Sequence, residues 1–440
     1  MTRVWEAAAY EDGPQANSWW AAQTPAPDCP VFQGNRKTDV AIIGAGFTGL
    51  NAALRLASAG VDVMVLEARH PYWGASGRNG GFCCLGGSKL GNAALRRKYG
   101  EQARCDWRLA ERRAVDHVGD LLDRFAIDAD HHSVGETLLA HRARDVKNLL
   151  ADRETIAQDY GVQAEFVSGA DLAQVGMKAN FHAALTTPIG FALSPRKYAR
   201  GLLGAAQAAG AQVFGGTAVA QVTGTGPYQL HTQHGRVQAK KVIIATNGYS
   251  NDDLIPWMAG RTMPLQSAIL ATRPLTADEQ ATQGWTSLQM CYDSRHLLHY
   301  FRLMPDGRMV FGMRGGLAQT PRAVAANKRA IRAHFEQMFP AWAHVETPYY
   351  WSGLLCATRA QVPFAAQIPG APGMFAAFGY HGNGVGMGSW CGALLADLAM
   401  DKTPDLYPDM LRRDPGRFPF GRYRRALMRP AYTLWGLQDL

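Results

Sequence analysis

The stretch Asp39–Ala68, DVAIIGAGFTGLNAALRLASAGVDVMVLEA, limits the fold more than any other part of the chain. It predicts an apolar strand at Asp39–Gly44, a glycine turn, a helix over Thr48–Ser58 stopped by Gly60, and a second strand at Asp62–Leu66. Gly44-Ala45-Gly46-Phe47-Thr48-Gly49 is GxGxxG, placed after a strand and at the opening of a helix. Gly44 makes the tight turn, Gly46 lets a pyrophosphate reach the backbone, and Gly49 lets helix and strand pack closely. The helix start adds free N–H groups and the positive end of its dipole. Glu67 ends the second strand near the ~20-residue spacing of a ribose-binding acid, and a carboxylate there disfavours a 2′-phosphate. The unit therefore reads as a site for NAD or FAD.

A second glycine cluster separates those two. Gly74–Cys84 reads GASGRNGGFCC and begins soon after the ribose acid. Ordering so much glycine costs entropy and needs a reason. A loop leaving the second strand here can run back along an extended dinucleotide. Its amides and Ser76 then meet phosphate, and Arg78 or Asn79 meets the far end. NAD sites do not need such a loop. A third cluster, GYHGNGVGMG (Gly379–Gly388), leads from a buried strand, Gly373–Ala377, into a helix expected over Ser389–Met400. Gly384, Val385 and Gly386 can aim N–H donors at the negative charge of a reduced flavin. The alternative for this stretch is a plain helix-start turn.

The chain has 440 residues, enough for two domains or one large interleaved unit, and 47% hydrophobic with 18% charged residues describes an ordinary globular protein. Apolar runs break well before the roughly 18 residues of a membrane span. The first residues lack the apolar core of a signal peptide. Seven cysteines without CxxC spacing suggest reduced thiols in a cytoplasm. Cys83-Cys84 reads as a pair of small buried side chains. No histidine shows metal-ligand spacing. The net charge of +9 draws on a basic tail, Arg412–Pro430. Such a run can bind RNA or another polyanion; interleaved aromatics suggest that it wraps the body instead.

Along the chain, Asn17–Pro30 reads as an extended arm, and residues 91–180 as mostly helical. Ser194-Pro195 marks a helix start, with Ser as cap and Pro in the first turn. Strands over 261–350 are expected to form a separate sheet.

NSWWAA, the β-α-β unit, VLEA, GASGRNGG, the LSP helix start, VIIATNGYS, WSGLLCATRAQVP, GYHGNGVGMG and AYTLWGLQDL together resemble the D-amino-acid-oxidase-like superfamily of FAD enzymes, and within it the gamma-glutamylputrescine oxidase group. The resemblance implies an α/β (α+β) protein. A Rossmann-like FAD-binding domain, expected over 1–90, 186–260 and 351–440, would be interleaved with a substrate domain on a mostly antiparallel sheet, 91–185 and 261–350. It implies non-covalent FAD, held by Gly44, Gly46, Phe47, Thr48, Gly49, Glu67, Ala68 and Arg69, then by Gly74, Ala75, Ser76, Arg78, Asn79, Gly80 and Gly81. Val219, Ala245, Thr246, Asn247 and Gly248 follow, and Gly382, Asn383, Gly384, Val385, Gly386 and Met387 would lie at the pyrimidine end. The implied reaction is hydride transfer from the carbon beside an amine nitrogen to flavin N5, giving an imine that water hydrolyses. Electrons then pass to O2 or another acceptor. Trp73, Tyr300, Trp351 and Tyr380 are candidate pocket walls, His299 and His381 candidate proton relays, and Arg302 and Arg359 candidate forks for a substrate carboxylate. Three departures stand out: PFAA follows the WSGLLCATRAQV segment, His381 stands where relatives often carry a small residue and Asn383 where they often carry His, and no lysine lies between Lys241 and Lys328 to activate oxygen above the flavin.

Overall fold

The computed structural model describes residues 3–439. Two large sheets carry the chain. The first is built around the strand Gly34–Ile43, which pairs in parallel with Val63–Leu66 on one side and Gly235–Ile244 on the other. Gln212–Phe214 extends it beyond Val63–Leu66, and Met374–Phe378 then Phe364–Gln367 extend it beyond Gly235–Ile244. Val40–Ile43 is flanked on both edges, so its side chains read as a continuous apolar run. The observed strand starts five residues before the expected one, because Gly34 to Thr38 pair with Gly235 to Ala239.

The helix Phe47–Ser58 lies on this sheet and is buried along most of its length. It is sandwiched by Pro195–Ala208 and Gly386–Ala399. Ser194 is the N-cap residue as expected, but its hydroxyl donates to Gln23 Oε1 rather than capping a backbone N–H. The last of these helices starts three residues before the expected Ser389, so Gly386 and Met387 are already helical.

The second sheet is mostly antiparallel, in the order Tyr349–Ala357, Met263–Ala271, Met309–Arg314, His299–Leu303, Met290–Asp293, Glu136–Ala140, Ala183–Thr187, Glu165–Ser168; only Met290–Asp293 with Glu136–Ala140 runs parallel. Three stretches of the chain, 136–187, 263–314 and 349–357, are thus needed to build it. Two expectations are corrected here. The boundary at 350/351 cuts the strand Tyr349–Ala357, which belongs to the second sheet because it pairs residue for residue with Met263–Ala271. Residues 91–180 hold three helices but also two strands, Glu136–Ala140 and Glu165–Ser168, and alternating burial in the first marks a sheet face turned to a cavity.

The N-terminal arm is not simply extended. It contains the short helix Trp19–Gln23, and Trp20 is fully buried, donating its indole N–H to Asn79 O (2.9 Å). The basic tail folds back on the body. Arg424, fully buried, bonds both carboxylate oxygens of Asp252 and the carbonyl of Thr262; Arg425 pairs with Glu6 (2.6 Å), and Asp414 with Arg261 (2.6 Å). Arg424 and Arg425 are thereby neutralised by the body, whereas Arg417, Arg422 and Arg429 of the tail are exposed. Among the described residues, no helix is long and apolar enough to cross a membrane.

Candidate functional site

The GxGxxG turn is held by contacts that leave no room for side chains. A Cβ on Gly49 would fall 1.9 Å from Gly44 O, and Gly44 itself has φ +102°. Gly46 caps the helix, and a Cβ there would meet Ser76 Oγ at 2.8 Å. That hydroxyl accepts the Phe47 N–H (2.9 Å). The first turn of the helix and the Gly74–Gly81 loop therefore converge on one point. Glu67 accepts N–H bonds from Ala45 (2.8 Å) and Arg69 (3.0 Å), and burial pushes its carboxyl above the usual range.

The loop's polar residues do different work. Asn79 closes the loop on itself: its amide donates to the carbonyls of Ala75 and Ser76, and its oxygen accepts the Gly81 N–H. The indoles of Trp20 and Trp351 take the carbonyls of Asn79 and Arg78. Arg78 is buried beneath Trp73, 4.0 Å from the ring centroid. Its Nε donates to Trp73 O (2.8 Å) and Nη1 to Ser352 O (3.3 Å), while Nη2 has no partner. A buried guanidinium with one orphan nitrogen beside bare backbone is a donor set for an anionic or carbonyl-bearing ligand. Gly80 and Gly81 are required by packing: a Cβ on Gly80 would strike the Tyr300 ring at 2.8 Å, and one on Gly81 would strike Leu193 O at 1.9 Å.

Two cavities meet at this loop. A groove of about 210 Å³ runs past Gly44, Gly46, Phe47, Thr48, Glu67, Ala68, Arg69, Gly74, Ala75, Ser76, Asn79, Val219, Ala245, Thr246 and Asn247 to Gly382, Gly384 and Val385. A chamber of about 710 Å³ lies under the second sheet and takes in Arg78, Gly80, Tyr300 and Asn383. Ala75, Asn79, Leu355, Gly382 and Val385 line both. The remaining expected cofactor residues, Gly49, Gly81, Gly248, Gly386 and Met387, stand behind these walls. Gly248 backs onto Leu354 O, and Gly386 faces Ala114 O. The sequence-expected cofactor residues thus gather along one path, from Val219 beside the ribose acid to the helix start at Gly386.

A nucleotide-binding unit, two further glycine loops and an elongated groove opening on a chamber specify an FAD site, and a family model described as FAD dependent oxidoreductase (DAO) matches residues 39–398. The chain belongs to that family. Gly46 presents bare backbone to the groove, while the Phe47 N–H is held by Ser76 Oγ. The "Probable oxidoreductase OrdL" of Rhizobium meliloti is 33% identical over 431 residues, covering 96% of this chain and 97% of that relative. Gamma-glutamylputrescine oxidoreductase of Escherichia coli is 29% identical over 361 residues, covering 82% and 83%. Glycine oxidase from Geobacillus kaustophilus has the same fold, with a TM-score of 0.69 at 20% identity, covering 86% of this chain and 98% of that one.

The expected substrate residues divide sharply. Tyr300 faces the chamber; its hydroxyl bonds Ser267 Oγ (2.8 Å), and burial holds it up at about 12. Trp73 and Tyr380 line the cofactor groove rather than the chamber, and the Tyr380 hydroxyl bonds Thr48 Oγ1 (2.8 Å). Trp351 is fully buried behind the loop and packs on Trp20. His299 points to the opposite face of its strand, because it neighbours Tyr300 in a period-two element; its Nδ1 bonds Asp293 (2.6 Å) and its Nε2 His334 (2.7 Å). His381 borders the groove but is no relay. Nδ1 bonds Gly87 O (2.8 Å), Nε2 accepts the Thr358 N–H (3.2 Å), and burial drives its pKa down to about 4. Both ring nitrogens are spent on backbone, so it pins the Gly382 loop as a neutral imidazole. Arg302 lies under the Gly80–Gly81 segment, donating to Leu193 O (2.7 Å), and does not reach the chamber. Arg359 is exposed and donates to Arg417 O (3.2 Å). Neither arginine can hold a substrate in the chamber.

Sequence reasoning missed Lys89, Glu136, Tyr292 and Arg314, all of which line the chamber. The available signal was alternation. In Glu136–Ala140, Glu136 and Leu138 are partly exposed while Thr137 and Leu139 are buried, so a glutamate stands on the cavity face of a strand.

Proposed function

We propose that the chain oxidises a C–N bond in an amine or amino acid, giving an imine that water hydrolyses. The observation that carries this reading is the junction of groove and chamber at Ala75, Asn79, Leu355, Gly382 and Val385. It sets one end of the cofactor path against a chamber large enough for a small substrate. Bound FAD supplies the two-electron acceptor for a hydride from the carbon next to nitrogen.

The protein's own share is orientation, charge and exclusion of water. Gly384 and Val385 stand at the start of the helix Gly386–Ala399, whose positive end faces the groove, a placement that favours negative charge there. The Arg78 guanidinium adds a fixed cation beside the junction. In the chamber Leu138, Leu298, Tyr292 and Tyr300 give a largely apolar wall, which disfavours a charged ammonium and supports release of hydride from a neutral amine. Non-covalent cofactor binding is supported by Cys356. It lines the groove, but burial raises its thiol to about 12, so the thiolate that a flavin linkage requires is scarce at neutral pH.

The test is an anaerobic screen of the purified holoenzyme against gamma-glutamylated amines, N-methyl amino acids and D-amino acids, reading the flavin absorbance. Bleaching by one class supports the proposal, and admission of air then separates an oxidase from a dehydrogenase. A yellow enzyme that none of them bleaches refutes it.

A further inference from the structure

The tail carries apolar side chains on its outer surface. Four of the ten exposed large apolar side chains among the described residues fall within residues 420–437, and the other six are scattered between Val31 and Leu288. Phe420 is 68% exposed, Tyr423 65%, Leu434 54% and Leu437 64%. Single exposed apolar residues need no explanation, but a cluster does. The spacing of these residues follows the local helix. In the 3₁₀ turn Gly421–Leu427, whose period is three, Arg424 is buried and Leu427 half-buried, while Phe420, Tyr423 and Ala426 form the outer row. In the helix Met428–Gln438, Met428 is buried and Tyr432 and Trp435 half-buried, while Pro430, Leu434 and Leu437 lie exposed on successive outer turns. Both ends of the segment are fixed. Arg424 and Arg425 bind Asp252 and Glu6 at one end, and at the other the Asp439 carboxylate accepts the N–H groups of His296 (2.7 Å) and Leu297 (2.9 Å). The fold thus holds the apolar row outward.

The same stretch is charged with one sign. Between Asp414 and Asp439 there are five arginines and no Asp or Glu. Arg424 and Arg425 are spent on the body. Arg417, Arg422 and Arg429 are exposed and, among the described residues, pair with no carboxylate. Arg417 Nη2 donates to Pro256 O (3.4 Å) and Arg422 Nη2 to the neighbouring Tyr423 hydroxyl (2.6 Å). This pattern selects the occupant. A second copy meeting the row across a two-fold axis would set arginines against arginines. A nucleic acid would use the cations and leave the leucines bare. A lipid surface with anionic headgroups satisfies both, since its phosphates take the arginines and its headgroup–acyl boundary takes the rings and leucines.

We propose that residues 417–437 form a docking surface for an anionic membrane, which holds the enzyme at the lipid surface without a spanning segment. The contact stands apart from the amine chemistry and survives if that reading fails. Each exposed arginine contributes about fivefold in affinity at low salt, and the apolar row supplies the part that salt does not remove.

The test is co-sedimentation of the holoenzyme with vesicles of phosphatidylcholine and phosphatidylglycerol in equal parts, against vesicles of phosphatidylcholine alone. Wild type pellets with the anionic vesicles, pellets far less with the neutral ones, and is loosened by added salt. Arg422→Gln with Arg429→Gln lowers the partition about 25-fold, and Leu434→Ser with Leu437→Ser about 10-fold. FAD content and melting temperature stay at wild-type values in both, because all four side chains are exposed. No pelleting at low salt, equal pelleting with the two vesicles, or an unchanged partition in the variants overturns the proposal. Sedimentation velocity without lipid addresses the second copy: a dimer that Leu434→Ser with Leu437→Ser dissolves gives the row to that copy and overturns membrane docking. Binding of a single-stranded RNA that the arginine variant loses and the leucine variant keeps, with no vesicle binding, gives the tail to nucleic acid and overturns it as well.

Discussion

Gly49→Ala adds a single methyl group and should cost the enzyme much of its hold on flavin. The new Cβ would lie 1.9 Å from Gly44 O, whereas real Cβ atoms essentially never come within 3.0 Å of a neighbour. The helix start and the turn must therefore separate by roughly 1 Å, and neither is free to move. Gly44 holds φ +102° with its own Cβ position 3.0 Å from Ala245 O, and the far side of the helix meets Gly392, whose Cβ position is 2.2 Å from Thr48 O. Overpacking of this kind costs about 1–3 kcal/mol. The same displacement moves the Gly46 backbone out of the groove wall, and about 2 kcal/mol lost there corresponds to a Kd for FAD raised about 30-fold. Apoprotein is titrated with FAD by flavin fluorescence, alongside thermal melts. Gly91→Ala is the control, since nothing lies within 4 Å of its Cβ and its φ is −74°. A Gly49→Ala protein with FAD affinity within about twofold of wild type and an unchanged melting temperature would refute the close-packing argument.

Two further outcomes are expected. Burial raises the Glu136 carboxyl from 4.5 to about 7, so the native state keeps a proton that the unfolded chain has lost between those values. Stability therefore falls as pH rises through that window; Glu136→Gln removes the fall and gains about 3 kcal/mol over wild type above pH 7 and nothing below pH 4.5, as paired melts at pH 5 and pH 8 will test. Arg424→Met leaves Asp252 without its partner at a buried site and should cost about 3 kcal/mol in denaturant unfolding, with the anaerobic reduction rate unaltered.

The cofactor path was readable because glycine turns are local. The strand, the turn and the helix that carry Gly44 to Gly49 are adjacent in sequence, and each glycine is demanded by a neighbouring backbone atom. The chamber was not readable for the opposite reason. Lys89, Glu136 and Arg314 come from three distant segments, and their meeting depends on which strands share a sheet, above all on Met290–Asp293 lying between Glu136–Ala140 and His299–Leu303. Arg302 was misplaced although it shares a strand face with Tyr300. The Gly80–Gly81 segment covers the arginine and packs on the tyrosine ring, a long-range event that alternation cannot foresee. His381 attracted a catalytic role by residue type, yet its ring is consumed by two backbone groups.

The flavin path takes its walls from residues as early as Arg3 and as late as Val385. A nascent chain that has not yet released Val385 from the ribosome lacks the last wall, and so does any proteolytic fragment that ends before it. Flavin cannot act as a template for early folding here. It joins a scaffold already assembled, and the colour of a preparation reports how many molecules completed that assembly.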